Sequence, residues 1–365
     1  MNPTYEEAYV NRGWSKSKLG NETGAIEDYT KAISINPSDT KAYDNRGSAK
    51  AMLGDKTGAV QDYNKAISIN PNNAKAYYNR GNLNYELGNY AGAIEDYTKA
   101  ISINPNVAET YSNRGLAKSN LGNKTGAIED YTKTISINPN NAEAYYNRGT
   151  AKAQLDNCTG AIEDYTKAIS INPSYEVTYY NRGKSKAELG DKTGAIEDYT
   201  KAIGINPNFA EAYRNRGLAK SDLDNKTGAI EDYTKAISIN PSYAEAYSNR
   251  GWAKLDLGNK TGAIEDYTKA ISINPSYAEA YDNRGWAKDE LGDKTGAIED
   301  YTKAIGINPN LAEAYINRGL TKDELGDKTG AIQDLTKAKE LYLSQQDYEG
   351  YKLLIEAINK INNGN

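Results

Sequence analysis

Histidine is absent from this 365-residue sequence, and cysteine occurs once, as Cys158. The first absence removes the usual general base near neutral pH, the commonest metal ligand, and every Ser-His or Cys-His nucleophile pair. The second removes any intrachain disulfide, in keeping with a reducing compartment. No apolar run approaches the ~18 residues of a membrane span, and the opening MNPTYEEAYVNRG lacks a basic leader followed by an apolar stretch. Lys and Arg number 44 against 49 Asp and Glu, with the signs interspersed. The basic excess that displaces counterions from nucleic acid is therefore missing. There is no Gly-rich phosphate loop and no cluster of metal-ligand residues. These gaps lead to the expectation of a soluble, cytoplasmic, non-catalytic protein with no cofactor, no metal, no nucleic-acid partner and no membrane insertion.

Large aliphatic residues are scarce too. Leu, Ile, Val and Phe together make up roughly 16% of the chain, below the ~20% at which disorder becomes a concern. Tyr, at 31 copies, and Ala fill the gap. All ten prolines stand in one register: Pro3, Pro37, Pro71, Pro105, Pro139, Pro173, Pro207, Pro241, Pro275 and Pro309. A fixed period in the range of 20–50 residues is the mark of stacked supersecondary units. One unit, residues 74–107, reads AKAYYNRGNLNYELGNYAGAIEDYTKAISINPNV.

Within it Tyr77 opens a first helix, Gly81 follows four residues later, Leu87-Gly88 closes that helix, Ala93 and Tyr97 lie in a second, and Ala100 and Pro105 end the unit. Gly81 and Ala93 let two antiparallel helices approach closely, and Tyr77, Tyr97 and Ile101 supply bulk around them. Gly88 tolerates a left-handed helix end, and Pro105 stops the second helix. A Thr such as Thr125 is expected to cap the second helix. On these residues the sequence resembles the tetratricopeptide repeat family, with residues 6–345 as ten tandem repeats. That resemblance implies an all-α, right-handed superhelical solenoid of helix-turn-helix pairs, and a scaffold that binds extended protein or peptide segments in its concave groove.

Residues 1–5 then read as the remnant of a preceding repeat, because Pro3 has no repeat of its own. Residues 346–365 read as a capping helix and tail, with Tyr348, Tyr351, Leu354, Ile355, Ile358 and Ile361 at helical spacing and a capping box from Ser344 to Asp347. Flat stacking ends also invite self-association.

Three sets of residues stand out. Every repeat has Arg immediately before the first-helix Gly, from Arg12 to Arg318, where the family usually has a large aliphatic residue. Every repeat also has Asp sixteen residues later, from Asp28 to Asp334. A buried guanidinium without a partner is very costly, so an internal ladder of Arg–Asp pairs, both partners largely buried, is expected.

Before each Arg stands Asn: Asn11, Asn45, Asn79, Asn113, Asn147, Asn181, Asn215, Asn249, Asn283 and Asn317. That place is turned about 100° from the Arg. In long arrays of the family an asparagine there forms a ladder that holds a peptide backbone, and an amide can both donate to C=O and accept from N–H. The alternative is that these Asn only bond neighbouring helices or water.

Selectivity is expected from the places that vary on the same face: Trp14, Tyr78, Tyr85, Tyr146, Tyr180, Trp252 and Trp286 among the aromatics. Asp256, Asp282, Asp289, Glu290, Asp323 and Glu324 join the C-terminal tryptophans, a combination suited to a Lys- or Arg-bearing ligand. The candidate peptide-binding set is the ten Asn with Trp252, Trp286, Tyr146 and Tyr180. Helical-repeat RNA binding and a non-catalytic adaptor role in an enzyme complex are the alternatives; RNA binding would need a basic groove.

Overall fold

A computed structural model describes residues 4–363. Among the described residues there are twenty-one helices and no strand. Each repeat contributes two: in the third, Ala74–Glu86 and Tyr90–Ile103. The helices divide into two compact sets, Met1–Ser185 and Lys186–Asn365, with the boundary inside the first helix of the sixth repeat. Pro3 lies outside the described residues, while Thr4 and Tyr5 of the remnant expected at 1–5 begin the first helix, Thr4–Lys18.

The shortage of aliphatic residues is met by an Ala–Tyr core. In the third repeat Ala93, Tyr97 and Ala100 are at most 3% exposed. The Tyr97 ring lies over Gly81, where an added Cβ would stand 2.8 Å from it. A glycine there is what admits a ring of that size between two helices, and the same pair recurs along the array.

The turn between the helices is set by one left-handed residue. Gly88 has φ +74°, and where repeats five and seven lack this glycine, Asp156 (φ 59°) and Asp224 (φ 62°) take the same conformation. The next residue caps the second helix. Asn123 Oδ1 accepts from Gly126 N at 2.9 Å, and an Asn or Asp does this in every repeat. Thr125 is therefore not the cap; it already lies inside the helix Lys124–Ile137. At the other end Asn104 is extended, as a residue before proline must be. Cys158 stands at the start of the helix Cys158–Ile171 and is 7% exposed.

The last helix, Tyr348–Asn363, lays Leu354 and Ile361 on Ala331, Leu335 and Ala338 of the tenth repeat. Its cap is Asp347, which accepts from Gly350 N at 2.9 Å. Ser344 instead ends the helix Lys328–Ser344, its Oγ donating to Leu341 O. The capping box expected between them does not form.

Candidate functional site

The Arg and Asp rows form a ladder of forked ion pairs. In each repeat lying wholly within one set, Arg Nε donates to Asp Oδ2 at 2.8–2.9 Å and Nη2 to Oδ1 at 2.5–2.7 Å. The Asp residues are at most 5% exposed. The Arg side chains are less buried than expected, about one sixth exposed in most repeats and 59% exposed at Arg12. The reason is their reach: the outer nitrogen leaves the core to meet the preceding repeat, as Arg148 Nη1 does at Thr132 Oγ1, 3.0 Å away.

Sequence reasoning also missed a third member. Lys four residues after the Arg donates to the same Asp Oδ2 at 2.7–2.9 Å. In the third repeat Asn84 replaces it at 3.0 Å. In the repeats lying wholly within one set each Asp thus holds two donors of its own repeat, and each Arg stacks on the Tyr three residues before it, with Cζ 5.2–5.7 Å from the ring centroid.

The Asn row lies on the side of the first helices. Asn11 is exposed and the other nine are half-buried. Several amides are engaged by the repeat before. Asn113 Nδ2 donates to Tyr78 Oη and Asn82 Oδ1, both at 3.1 Å, Asn181 Nδ2 to Tyr146 Oη at 3.2 Å, and Asn317 Nδ2 to Asp282 Oδ1 at 3.1 Å. Asn45 Oδ1 accepts from Lys75 at 3.4 Å, and Asn215 Oδ1 from Arg214 at 3.1 Å.

By contrast, Asn147 Nδ2 and Asn249 Nδ2 are buried and have no hydrogen-bond partner. One relation separates these five, though Asn79, with Asp44 at the same offset, leaves Asp44 Oδ1 without a partner. The residue 35 positions earlier is Tyr78, Tyr146 or Asp282 where the amide is bonded, and Ser112 or Arg214 where it is not. An arginine has no acceptor to offer.

The variable residues are divided likewise. Tyr146 is half-buried, with its ring 6.0 Å from Tyr165 and 5.2 Å from Tyr175. Tyr180 is also half-buried. Trp252 and Trp286 are 42% and 37% exposed, their ring centroids 5.4 Å apart. A recess of about 320 Å³ opens between Asn82, Tyr85, Tyr97, Asn113 and Leu116.

Four of the acidic residues expected to attract a basic ligand are occupied. Asp256, Glu290 and Glu324 pair with Lys226, Lys260 and Lys294 of the preceding repeat. Lys294 also holds Asp289, at 3.1 Å.

Asp282, like Asp44, is a carboxyl that burial shifts upward. Burial pushes its pKa up to about 6, with Glu313 and Glu279 adding to the effect and the Asn317 amide opposing it. A raised carboxyl pKa means the fold favours the protonated form, so this residue's contribution to stability falls as pH climbs from about 4 through 6. Asp282→Asn keeps an acceptor for Asn317 and removes the charge. The variant is expected to gain about 1–3 kcal/mol over the parent at pH 8, and the gain should vanish below pH ~4. Urea unfolding of both proteins across that range checks it, and a difference independent of pH would contradict it.

Among the described residues no group of three or more Cys, Asp or Glu side chains is placed to hold a metal ion, and no helix is long and apolar enough to cross a membrane.

Family profiles described as "Tetratricopeptide repeat" match residues 74–107, 142–175 and 244–277, and also 6–39, 278–311 and 312–345. A profile described as "TPR repeat" matches 51–88, 120–156, 184–224 and 225–258. No curated protein matches the sequence.

Among solved structures, a tetratricopeptide repeat protein from Parabacteroides merdae is 25% identical, covering 68% of this chain and 98% of its own, with a TM-score of 0.56. The C-terminal part of a TPR repeat-containing protein from Cytophaga hutchinsonii is 19% identical over 66% of this chain and 98% of its own, with a TM-score of 0.58. The APC/C hetero-tetramer Cut9-Hcn1 gives 16% identity over 97% of this chain and 76% of that one, with a TM-score of 0.53. The last two likenesses are of fold alone.

Proposed function

The chain belongs to the tetratricopeptide repeat family, and on that premise we propose that this scaffold holds an extended segment of a partner protein against the face of its first helices, with the Asn row gripping the partner's backbone. The observation that carries this reading is the pair of idle amides, Asn147 Nδ2 and Asn249 Nδ2. A buried donor without a partner costs about 1–3 kcal/mol, and native proteins rarely leave one unfilled. Each amide, turned outward, could donate to a separate backbone carbonyl of the partner. Amides already bonded to Tyr78, Tyr146 or Asp282 serve instead to tie one repeat to the next.

The two groups separate by experiment. Asn147→Ala and Asn249→Ala should each weaken binding of a verified partner by about 0.5–1.5 kcal/mol and leave stability no lower than the parent's. Asn181→Ala and Asn317→Ala should lower stability with a smaller effect on binding. Isothermal titration and urea unfolding on the four variants read both quantities; binding losses of equal size in the two groups would overturn the assignment.

A further inference from the structure

The first-helix face of Lys186–Asn365 carries three parallel rows. At the second place of its four complete repeats stand Glu211, Glu245, Glu279 and Glu313, all exposed and none in an ion pair among the described residues. Seven residues further, on the same side of each helix, come Leu218, Trp252, Trp286 and Leu320. Trp252, Trp286 and Leu320 are 37–44% exposed, and Leu218 is half-buried. Between these rows runs the Asn row. In the first five repeats the apolar place reads Trp14, Ser48, Asn82, Leu116 and Thr150, so no continuous stripe forms there. On the far side of the stripe, Asp222, Asp256, Glu290 and Glu324 are neutralised by Lys192, Lys226, Lys260 and Lys294. The continuous row of free negative charge lies along one flank; on the other, Asp323 alone of these first-helix carboxylates has no ion pair among the described residues.

Spacing selects the ligand's conformation. Seven residues of helix rise about 10.5 Å, which separates the carboxylate row from the apolar row. Packed helices lie about 8–10 Å apart, which sets the step from one repeat to the next. Three residues of polyproline II advance about 9.3 Å and return the same side chain to the same face. A β-strand advances about 10 Å in three residues but turns the third side chain to the opposite face. An α-helix has already used the carbonyls that the Asn row needs. A polyproline II segment leaves its carbonyls open and presents three ridges, one for the apolar row, one for the carboxylates and one for solvent.

We infer that this face binds a basic, polyproline-II segment with an apolar side chain at every third position and Lys or Arg beside it. The inference rests on the peptide-binding reading above and names the ligand class for this set of repeats.

Full-length Trp14→Phe protein leaves only Trp252 and Trp286 to report by fluorescence, since the chain has three tryptophans. The probe is the 15-residue peptide (Pro-Leu-Lys)5, against (Pro-Leu-Glu)5, (Pro-Ser-Lys)5 and an isomer of the first with its leucines grouped together. Saturable binding of (Pro-Leu-Lys)5 at least about tenfold tighter than all three controls is expected. By calorimetry, Trp252→Ala/Trp286→Ala should lose at least about tenfold, and Glu245→Gln/Glu279→Gln should weaken binding several-fold and flatten its salt dependence.

Equal affinity for any control, unchanged affinity in the Trp variant, or no binding at all overturns the inference. If the peptide ignores the Trp variant but is lost with Asn147→Ala/Asn249→Ala, the ligand class falls and the backbone grip stands. If a verified partner also ignores those Asn changes, the backbone grip falls as well.

Discussion

Asp164→Ala is expected to lower the unfolding free energy by about 3–5 kcal/mol, the usual cost of removing one partner from a buried ion pair. Asp164 is 3% exposed, and it accepts from Arg148 at 2.9 and 2.7 Å and from Lys152 at 2.8 Å. The substitution therefore leaves two cations facing one another over a carboxylate that is gone. Arg148 cannot simply swing out into solvent, because its guanidinium is stacked 5.6 Å from the Tyr145 ring centroid and bonded to Thr132 of the preceding repeat.

Since each repeat of a solenoid contacts only its neighbours, the loss concentrates in one place. Unfolding should become broader, or split into two steps, at the fifth repeat. Asp164→Asn retains an acceptor and should cost less. Urea unfolding followed by far-ultraviolet dichroism measures both variants. A change below about 1 kcal/mol for Asp164→Ala would mean that the pair behaves as an exposed surface bridge.

Much of this arrangement is legible in the sequence, and what is not has identifiable physical causes. Ten prolines in register locate the helix pairs, and the recurrence of Arg and Asp sixteen residues apart is enough to pair them. The Lys in the same ladder stands four residues after the Arg, a place that reads equally well as a solvated helix face. The helix cap was misplaced by two residues because Asn123 and Thr125 are both capping types. What decides between them is the left-handed conformation of Gly122, φ +81°, which turns the chain so that the helix starts earlier.

The acidic residues near the tryptophans were read as free. Their lysine partners stand thirty residues away in the preceding repeat, a relation that only stacking creates. The Asn row shows the same limit. Its face follows from helical geometry, but whether an amide is engaged depends on which neighbours the preceding repeat brings to it, rather than on the Asn itself. The Glu211–Glu313 row went unnoticed because exposed glutamates at helix starts are ordinary in sequence. Only their lack of partners, beside a stripe that has tryptophan at its centre, distinguishes them.

The second large effect bears on the scaffold's working face. Replacing Asn147, Asn181, Asn215 and Asn249 together by Ala removes four rungs of the proposed backbone grip. At about 0.5–1.5 kcal/mol for each of the two amides not already engaged, Asn147 and Asn249, the sum is about 1–3 kcal/mol, or roughly fivefold to more than a hundredfold in affinity. Asn181 is the rung already bonded to Tyr146, so its share should be the smallest in binding and the largest in stability. The Arg–Asp–Lys ladder remains intact in the variant, so its helical dichroism should match the parent. The most direct measurement is isothermal titration of a verified partner into the parent and into this quadruple variant under the same buffer and salt. The account predicts a folded protein whose affinity falls by at least about fivefold; a folded variant that binds as tightly as the parent would contradict it and move the binding surface away from the first helices.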